Sequence, residues 1–121
     1  MTICPLELDF SVCQVKSADA WPQQGFFFFS RTDEENSLVC ETQYAPDSCV
    51  NREDGWKAFR IAGVLDFSLI GILARISALL AEERIGIFAI STYNTDYILV
   101  KKEHFEHALE ALSRAGYEIA G

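Results

Sequence analysis

Positive charge is scarce in this chain. Against 18 Asp and Glu there are 10 Lys and Arg, which leaves a formal net charge of −8. Binding a nucleic-acid backbone needs basic clusters, and anionic membranes attract polybasic segments. The composition argues against both partners. Long hydrophobic runs are also missing. Leu69 to Ala81 is interrupted by Arg75 and Ser77, and no stretch is long enough to cross a bilayer. Met1-Thr2-Ile3-Cys4-Pro5-Leu6-Glu7 carries no basic segment, so the expectation is a cytoplasmic chain without a secretory signal. Cys4, Cys13, Cys40 and Cys49 form no CxxC pair, and no histidine stands near them. Zinc is not expected, and the four are expected as thiols rather than disulfides. His104 and His107 share a helix face but suggest no third ligand, so no metal site is expected. Gly-rich phosphate loops and nucleophile elbows are absent. Asp33-Glu34-Glu35 and Glu82-Glu83 read as solvated faces rather than acid/base pairs. Catalytic residues and cofactors are therefore not expected, and a small-molecule site or a protein partner is left.

What is present is a globular composition: 121 residues, half of them hydrophobic and 23% charged. That suits one ordinary domain or two small modules. Ala45 to Gly55 collects Pro46, Asp47, Ser48, Asn51, Asp54 and Gly55, all turn formers, and predicts a boundary between residues 1–55 and 56–121.

The second segment has clear periodicity. Lys57 to Ala62 predicts a short strand. Ser68 is placed to cap a helix in which Leu69, Ile72, Leu73, Ile76, Leu79 and Leu80 recur at three and four residues. That helix should end near Ile85, with Gly86 in the left-handed position. Ile87 to Tyr93 and Tyr97 to Lys101 predict a hairpin turning at Asn94-Thr95-Asp96. Glu103 to Ala115 predicts a second helix with Phe105, Ala108, Leu109 and Leu112 inward, and Tyr117 to Ala120 a last strand. The order β-α-β-β-α-β is the ferredoxin-like split βαβ arrangement, with two helices on one face of a four-stranded antiparallel sheet. Phe88, Ile90, Ile98 and Val100 cannot all face those helices, so the other face needs a second module or a dimer partner.

The first segment predicts an abbreviated version. Leu6, Leu8, Phe10 and Val12 alternate as one half-buried strand. Phe26 to Phe29 predicts a central strand apolar on both faces. Thr32-Asp33-Glu34-Glu35 has the form of a capping box opening a short helical turn. Ser37 to Gln43 predicts a third strand. Lys16 to Gln24 is too short for a full helix with its loops.

One constellation suggests binding. Val64-Leu65-Asp66-Phe67-Ser68 runs into the first helix, whose opening N–H groups at Leu69, Ile70, Gly71 and Ile72 are natural donors to a carboxylate. Gly71 permits close approach of a ligand, or only tight packing on the sheet. Asp66 and Asp96 are candidates to hold an ammonium group. Alternatively, Asp66 caps the helix and Asp96 stabilises its turn.

Phe59-Arg60-Ile61-Ala62-Gly63, Leu65-Asp66-Phe67-Ser68, Gly71-Ile72-Leu73 and the stretch Ile87 to Val100 together resemble the ACT-domain family. The likeness is to small bacterial tandem-ACT proteins, similar to aspartate kinase regulatory modules and the CASTOR arginine sensors. It is strongest over residues 56–120 and weaker over 6–43. The resemblance implies an α+β fold: a ferredoxin-like βαββαβ ACT domain preceded by an abbreviated ACT-like half-module. It also implies no catalysis, and an amino acid bound at a module or dimer interface. Carried over by position, Asp66, Ser68 and the backbone of Ile70, Gly71 and Ile72 would contact that ligand. Ile90, Ser91 and Thr92 would line the sheet side, Asp96 would hold the ammonium, and Ser37 and Leu38 would close the pocket. Val64 replaces a common Pro, Ile70 a common Thr, and Asn36 a usual apolar residue. Loss of a threonine hydroxyl at the helix start would remove one hydrogen bond, about 0.5–1.5 kcal/mol. The expected partners are an amino acid, a second copy in a homodimer, and a separate regulated enzyme. The alternative is a ligand-free interaction module, predicted by the same uncovered sheet face.

Overall fold

The computed structural model describes residues 1–62 and 71–120. Its elements are β1 (Thr2–Pro5), β2 (Phe10–Val15), β3 (Phe27–Arg31), β4 (Asn36–Glu41), β5 (Asn51–Ile61), α1 (Ile72–Glu82), β6 (Phe88–Ser91), β7 (Asp96–Lys101), α2 (Phe105–Arg114) and β8 (Glu118–Ile119). They form two compact units. Leu8–Trp56 is one; Met1–Glu7 with the chain from Lys57 onward is the other. The expected split left residues 1–55 together, whereas here the first seven residues pack with the C-terminal unit.

The C-terminal unit has the ferredoxin-like α+β architecture. Its strands run in the order β6-β7-β5-β1-β8. The expected sheet had four strands; β1 makes a fifth. It enters between β5 and β8, antiparallel to the first through Ile3↔Ile61 and parallel to the second through Ile3↔Ile119. Ile3 is fully buried there. The alternating stretch from Leu6 to Val12 is accordingly not one strand. β1 ends at Pro5, which has no N–H to continue a ladder, and β2 starts only at Phe10.

One face of this sheet carries the helices. Phe59, Ile61, Ile98 and Val100 pack against Ile72, Ile76 and Leu80 of α1 and Phe105, Ala108 and Leu112 of α2. Each Ile, Leu, Val and Phe among them contributes about 1.5–3 kcal/mol by leaving water. Both helices end alike. The Gly116 and Tyr117 N–H groups return to the Ser113 and Leu112 carbonyls after α2, at 3.0 and 3.1 Å. After α1, Arg84 and Ile85 return to Ala81 and Leu80, at 3.0 and 2.9 Å. This is the Schellman arrangement, whose turning residue must be left-handed. Gly116 has φ 102°, but after α1 the turning residue is Arg84 at φ 61°, not the expected Gly86. The helix ends at Glu82, three residues before the expected Ile85, and the Ile85 backbone folds back onto Leu80.

The N-terminal unit keeps four strands in the order β3-β4-β2-β5, all antiparallel, and no helix longer than a 3-10 turn at Thr42–Tyr44. Two loops stand where helices would. Trp21 from the first and Ala45 and Cys49 from the second pack with Cys13, Val15, Phe27, Phe29, Leu38 and Cys40. Among the described residues β3 pairs only with β4, so the Phe-rich strand is an edge strand rather than a central one. Its apolarity is met partly by Trp21, whose ring lies 5.7 Å from Phe27 and 4.8 Å from Phe29. The Thr32 to Glu35 segment is a hairpin turn and not a helix start. The Thr32 hydroxyl caps the Glu34 and Glu35 N–H groups at 3.1 Å each, but strand β4 follows at once. The second half of the segment read as a boundary is strand. β5 begins at Asn51, and Asp54-Gly55 falls where its register with β2 jumps, from Trp56 opposite Phe10 to Glu53 opposite Val12. Turn-forming residues here make a bulge within a strand.

Candidate functional site

The candidate site is built on the β6–β7 hairpin of the C-terminal unit. Its turn is closed by one residue type used twice. The Thr92 N–H and hydroxyl both donate to the Thr95 carbonyl at 2.9 Å. Thr95 is buried, and its own hydroxyl donates to the Ile61 carbonyl at 2.9 Å. That last bond ties the turn to the C-terminal end of β5, so both lie at one end of the sheet. Tyr93 at the tip is 81% exposed.

Asp96 opens β7 directly opposite Ser91. The Ser91 hydroxyl donates to Asp96 Oδ1 at 2.6 Å. Asp96 is half-buried. Ile98 and Val100 face the helices, and side chains two apart along a strand share a face. Asp96 therefore stands on the helix-bearing face, as does Ser91. This places a carboxylate, with one oxygen fixed by a hydroxyl, at the sheet end where β5 finishes. Ile90 sits opposite Tyr97 on the other face, so Ile90 and Ser91 do not line the same side. On that other face the Arg60 guanidinium donates to the Tyr97 hydroxyl at 3.1 Å.

α1 begins with Gly71, at φ 83° and ψ 7°, a backbone shape that side chains with a Cβ resist. Its carbonyl accepts the first helical bond from the Arg75 N–H at 2.9 Å. The helix is thus capped at Gly71, and Leu69, expected to begin it, lies outside the described residues. The cap makes no side-chain hydrogen bond, and the first turn carries no acidic residue. Its opening N–H groups, from Ile72 on, carry the positive end of the helix dipole. Ile72 itself is buried, so only its backbone is available to a ligand. Asp66, Ser68 and Ile70 lie outside the described residues.

Ser37 and Leu38 belong to the N-terminal unit. Ser37 is half-buried between Gln14 and Ser30, and Leu38 is fully buried in that unit's core. Thr95 escaped the sequence reading. The spacing Thr92-x-x-Thr95 was its only signal. Among the described residues no group of His, Cys, Asp or Glu is arranged to hold a metal, and no helix is long and apolar enough to cross a membrane. His107 contacts Glu83 at 2.7 Å on the surface, where Arg114 joins it at 3.3 Å.

Comparison with known proteins agrees with the fold of the C-terminal unit. The sequence profile of the ACT domain matches residues 51–114. The human protein named cytosolic arginine sensor for mTORC1 subunit 1 is 35% identical over 96 residues, covering 74% of this chain and 29% of that protein. The chain thus spans less than a third of that relative's length. A crystal structure of a protein from Agobacterium tumefaciens superposes with a TM-score of 0.86 at 28% identity, over 98% of this chain and 91% of that one. The regulatory subunit of aspartate kinase from Thermus thermophilus gives a TM-score of 0.61 at 10% identity, over 94% and 96%. The last shares the fold alone.

Proposed function

We propose, starting from the fact that this chain belongs to the ACT-domain family, that it is a non-catalytic regulatory protein that binds a free amino acid. The observation that carries this reading is the Asp96 carboxylate. It is fixed by Ser91, on the helix-bearing face and at the end of the sheet where β5 finishes. A zwitterion needs an anion for its ammonium and donors for its carboxylate. Asp96 supplies the first. The start of α1, through Gly71 and Ile72, supplies the second, and Asp66, Ser68 and Ile70 complete the proposed set with Thr92. Regulation would follow from differential affinity: the ligand favours one arrangement of a homodimer or of a complex with a separate enzyme.

The test is a thermal-shift screen against the proteinogenic amino acids, beginning with arginine, for which the human relative is named. Ligand at about 100 times its Kd stabilises the fold by ~2.7 kcal/mol. Asp96→Ala should weaken the binding about ten- to hundredfold, the cost of one charge-assisted contact. A panel with no shift, or a shift that Asp96→Ala leaves intact, overturns the reading.

A further inference from the structure

We propose that a cavity in the N-terminal unit is a binding site for a cationic peptide segment. A backbone carbonyl of the segment takes the Trp21 indole N–H, and its Lys or Arg side chain is held by Asp19 and Asp47. The cavity measures about 440 Å³, with residues 19–22 as one wall and residues 43–48 as the other. Small-ligand sites commonly measure about 300–1,000 Å³. All of it belongs to one unit, and Asp96 belongs to the other, so this site stands independently of the one proposed above.

Both walls are ordered before a ligand arrives. The Trp21 ring rests on Phe27 and Phe29. In the second wall the Ala45 N–H donates to the Thr42 carbonyl at 3.1 Å. The Pro46 carbonyl accepts from the Cys49 thiol at 3.0 Å and from the Arg52 guanidinium at 3.5 Å. A site whose backbone is already fixed loses little entropy on binding.

The occupant's chemistry follows from what lines the cavity. Trp21 is 7% exposed, and its indole N–H is buried without a hydrogen-bond partner. A donor in that state calls for an acceptor. The charge in the walls is all of one sign. Asp19 and Asp47 are exposed, and none of the lining residues is basic. The Ser17 hydroxyl donates to Asp19 Oδ1 at 2.7 Å and orients that carboxylate. Arg52, which reaches Pro46, is already paired with Asp54 at 2.8 Å. Two carboxylates repel an anionic acceptor and attract a cation. The acceptor is therefore neutral and its companion positive. Tyr44, half-buried, with Pro22 and Pro46 adds apolar surface against which a long cationic side chain can lay its stem. A neutral carbonyl beside a cation on an apolar stem is what a Lys or Arg residue carries within a peptide. A free amino acid would bring a carboxylate instead.

The experiment titrates the isotope-labelled full chain with the blocked tripeptide acetyl-Ala-Arg-Ala-amide and follows the indole N–H resonances by NMR. The chain has two tryptophans, and Trp56→Phe assigns their signals. Both ends of the probe are blocked, so it lacks the ammonium and carboxylate that binding at Asp96 would use. The expected result is a saturable downfield shift of the Trp21 indole proton, the mark of a new hydrogen bond, with Trp56 unmoved. Asp19→Asn and Asp47→Asn, both at exposed positions, should each weaken binding about two- to fivefold. The same peptide with glutamine in place of arginine should not saturate the shift. A Trp21 signal unmoved by millimolar probe overturns the proposal. So does equal binding of the glutamine peptide, or full affinity in the chain carrying both Asn substitutions.

Discussion

Thr32 and Thr92 stand at equivalent places in two hairpins, sixty positions apart. Each follows the first strand, donates its N–H to the carbonyl three residues on at 2.9 Å, and caps the turn with its hydroxyl. The second strand then starts at Asn36 in one and Asp96 in the other, opposite Arg31 and Ser91. A 3-10 turn follows each, at Thr42–Tyr44 and Lys102–His104. The difference lies in what meets the strand's first side chain. Asp96 is a carboxylate held by a hydroxyl. Asn36 is an amide that donates to the Lys16 carbonyl, in the loop that stands where a helix would. The N-terminal unit thus uses this position to secure its own chain, whereas the C-terminal unit leaves an anion there. The comparison teaches that the strands of this fold survive loss of the helices, but the candidate ligand position does not.

The comparison can be broken most severely at Trp21. It substitutes for a helix by covering Phe27 and Phe29, so Trp21→Ala should cost about 3–5 kcal/mol, read by urea denaturation. If the loss is below about 1 kcal/mol, the loops do not replace the helices as packing elements. Alkaline pH separates the units next. Cys49 keeps its proton to about 11 in the folded chain, against 9.0 for the free thiol. Above pH 9 the unfolded chain binds fewer protons than the folded one, and stability falls with pH. Cys13 is shifted the same way, chiefly by the Cys40 thiol, and Cys40, lowered by the Cys13 thiol, has lost its proton in both states above pH 9. Cys49 alone contributes a loss of about 2 kcal/mol between pH 9 and 11, Cys13 adds to it, and Cys49→Ala should reduce the loss without abolishing it. Fluorescence follows it in the N-terminal unit, because Trp21 and Trp56 both lie there.

Smaller effects sharpen the picture. Thr95→Val removes the bond to the Ile61 carbonyl and should cost about 1–2 kcal/mol. Glu35, its counterpart in the other hairpin, is exposed, and Glu35→Ala should change stability by less than about 0.5 kcal/mol. Equal effects would mean that the hairpin tie is not special to the candidate site. Arg84→Gly should stabilise by about 0.5–1 kcal/mol, since it relieves a left-handed residue where α2 already uses glycine. Thermal unfolding checks it.

Much of this was legible in the sequence where one physical signal dominated. Ile72, Ile76 and Leu80 repeat with the helical period, and both helices of the C-terminal unit follow. Asp96 next to a turn, and Gly71 at a helix start, stood out for the same local reasons. Long-range pairing left no such mark. Nothing in Thr2 to Pro5 says that it will lie between a strand from the middle of the chain and one from its far end. Phe26 to Phe29 is apolar enough for a central strand, and only the position of Trp21 makes an edge acceptable. Thr32-Asp33-Glu34-Glu35 satisfies the local rule for a helix start, yet the residues after it have no helical period. The Ser91 to Asp96 bond depended on strand register, which is set by the turn at Thr92 to Thr95.

Because β1 lies between β5 and β8, the two ends of the chain complete one sheet. The boundary at Trp56 and Lys57 is consequently a poor place to cut. A fragment from Lys57 onward would lack Ile3 and would leave β5 and β8 without the strand that joins them. During synthesis β1 must wait for β8, so closure of this sheet depends on contacts of very long sequence separation, the kind that slows folding. The C-terminal unit reaches its final form only once β8 has been made.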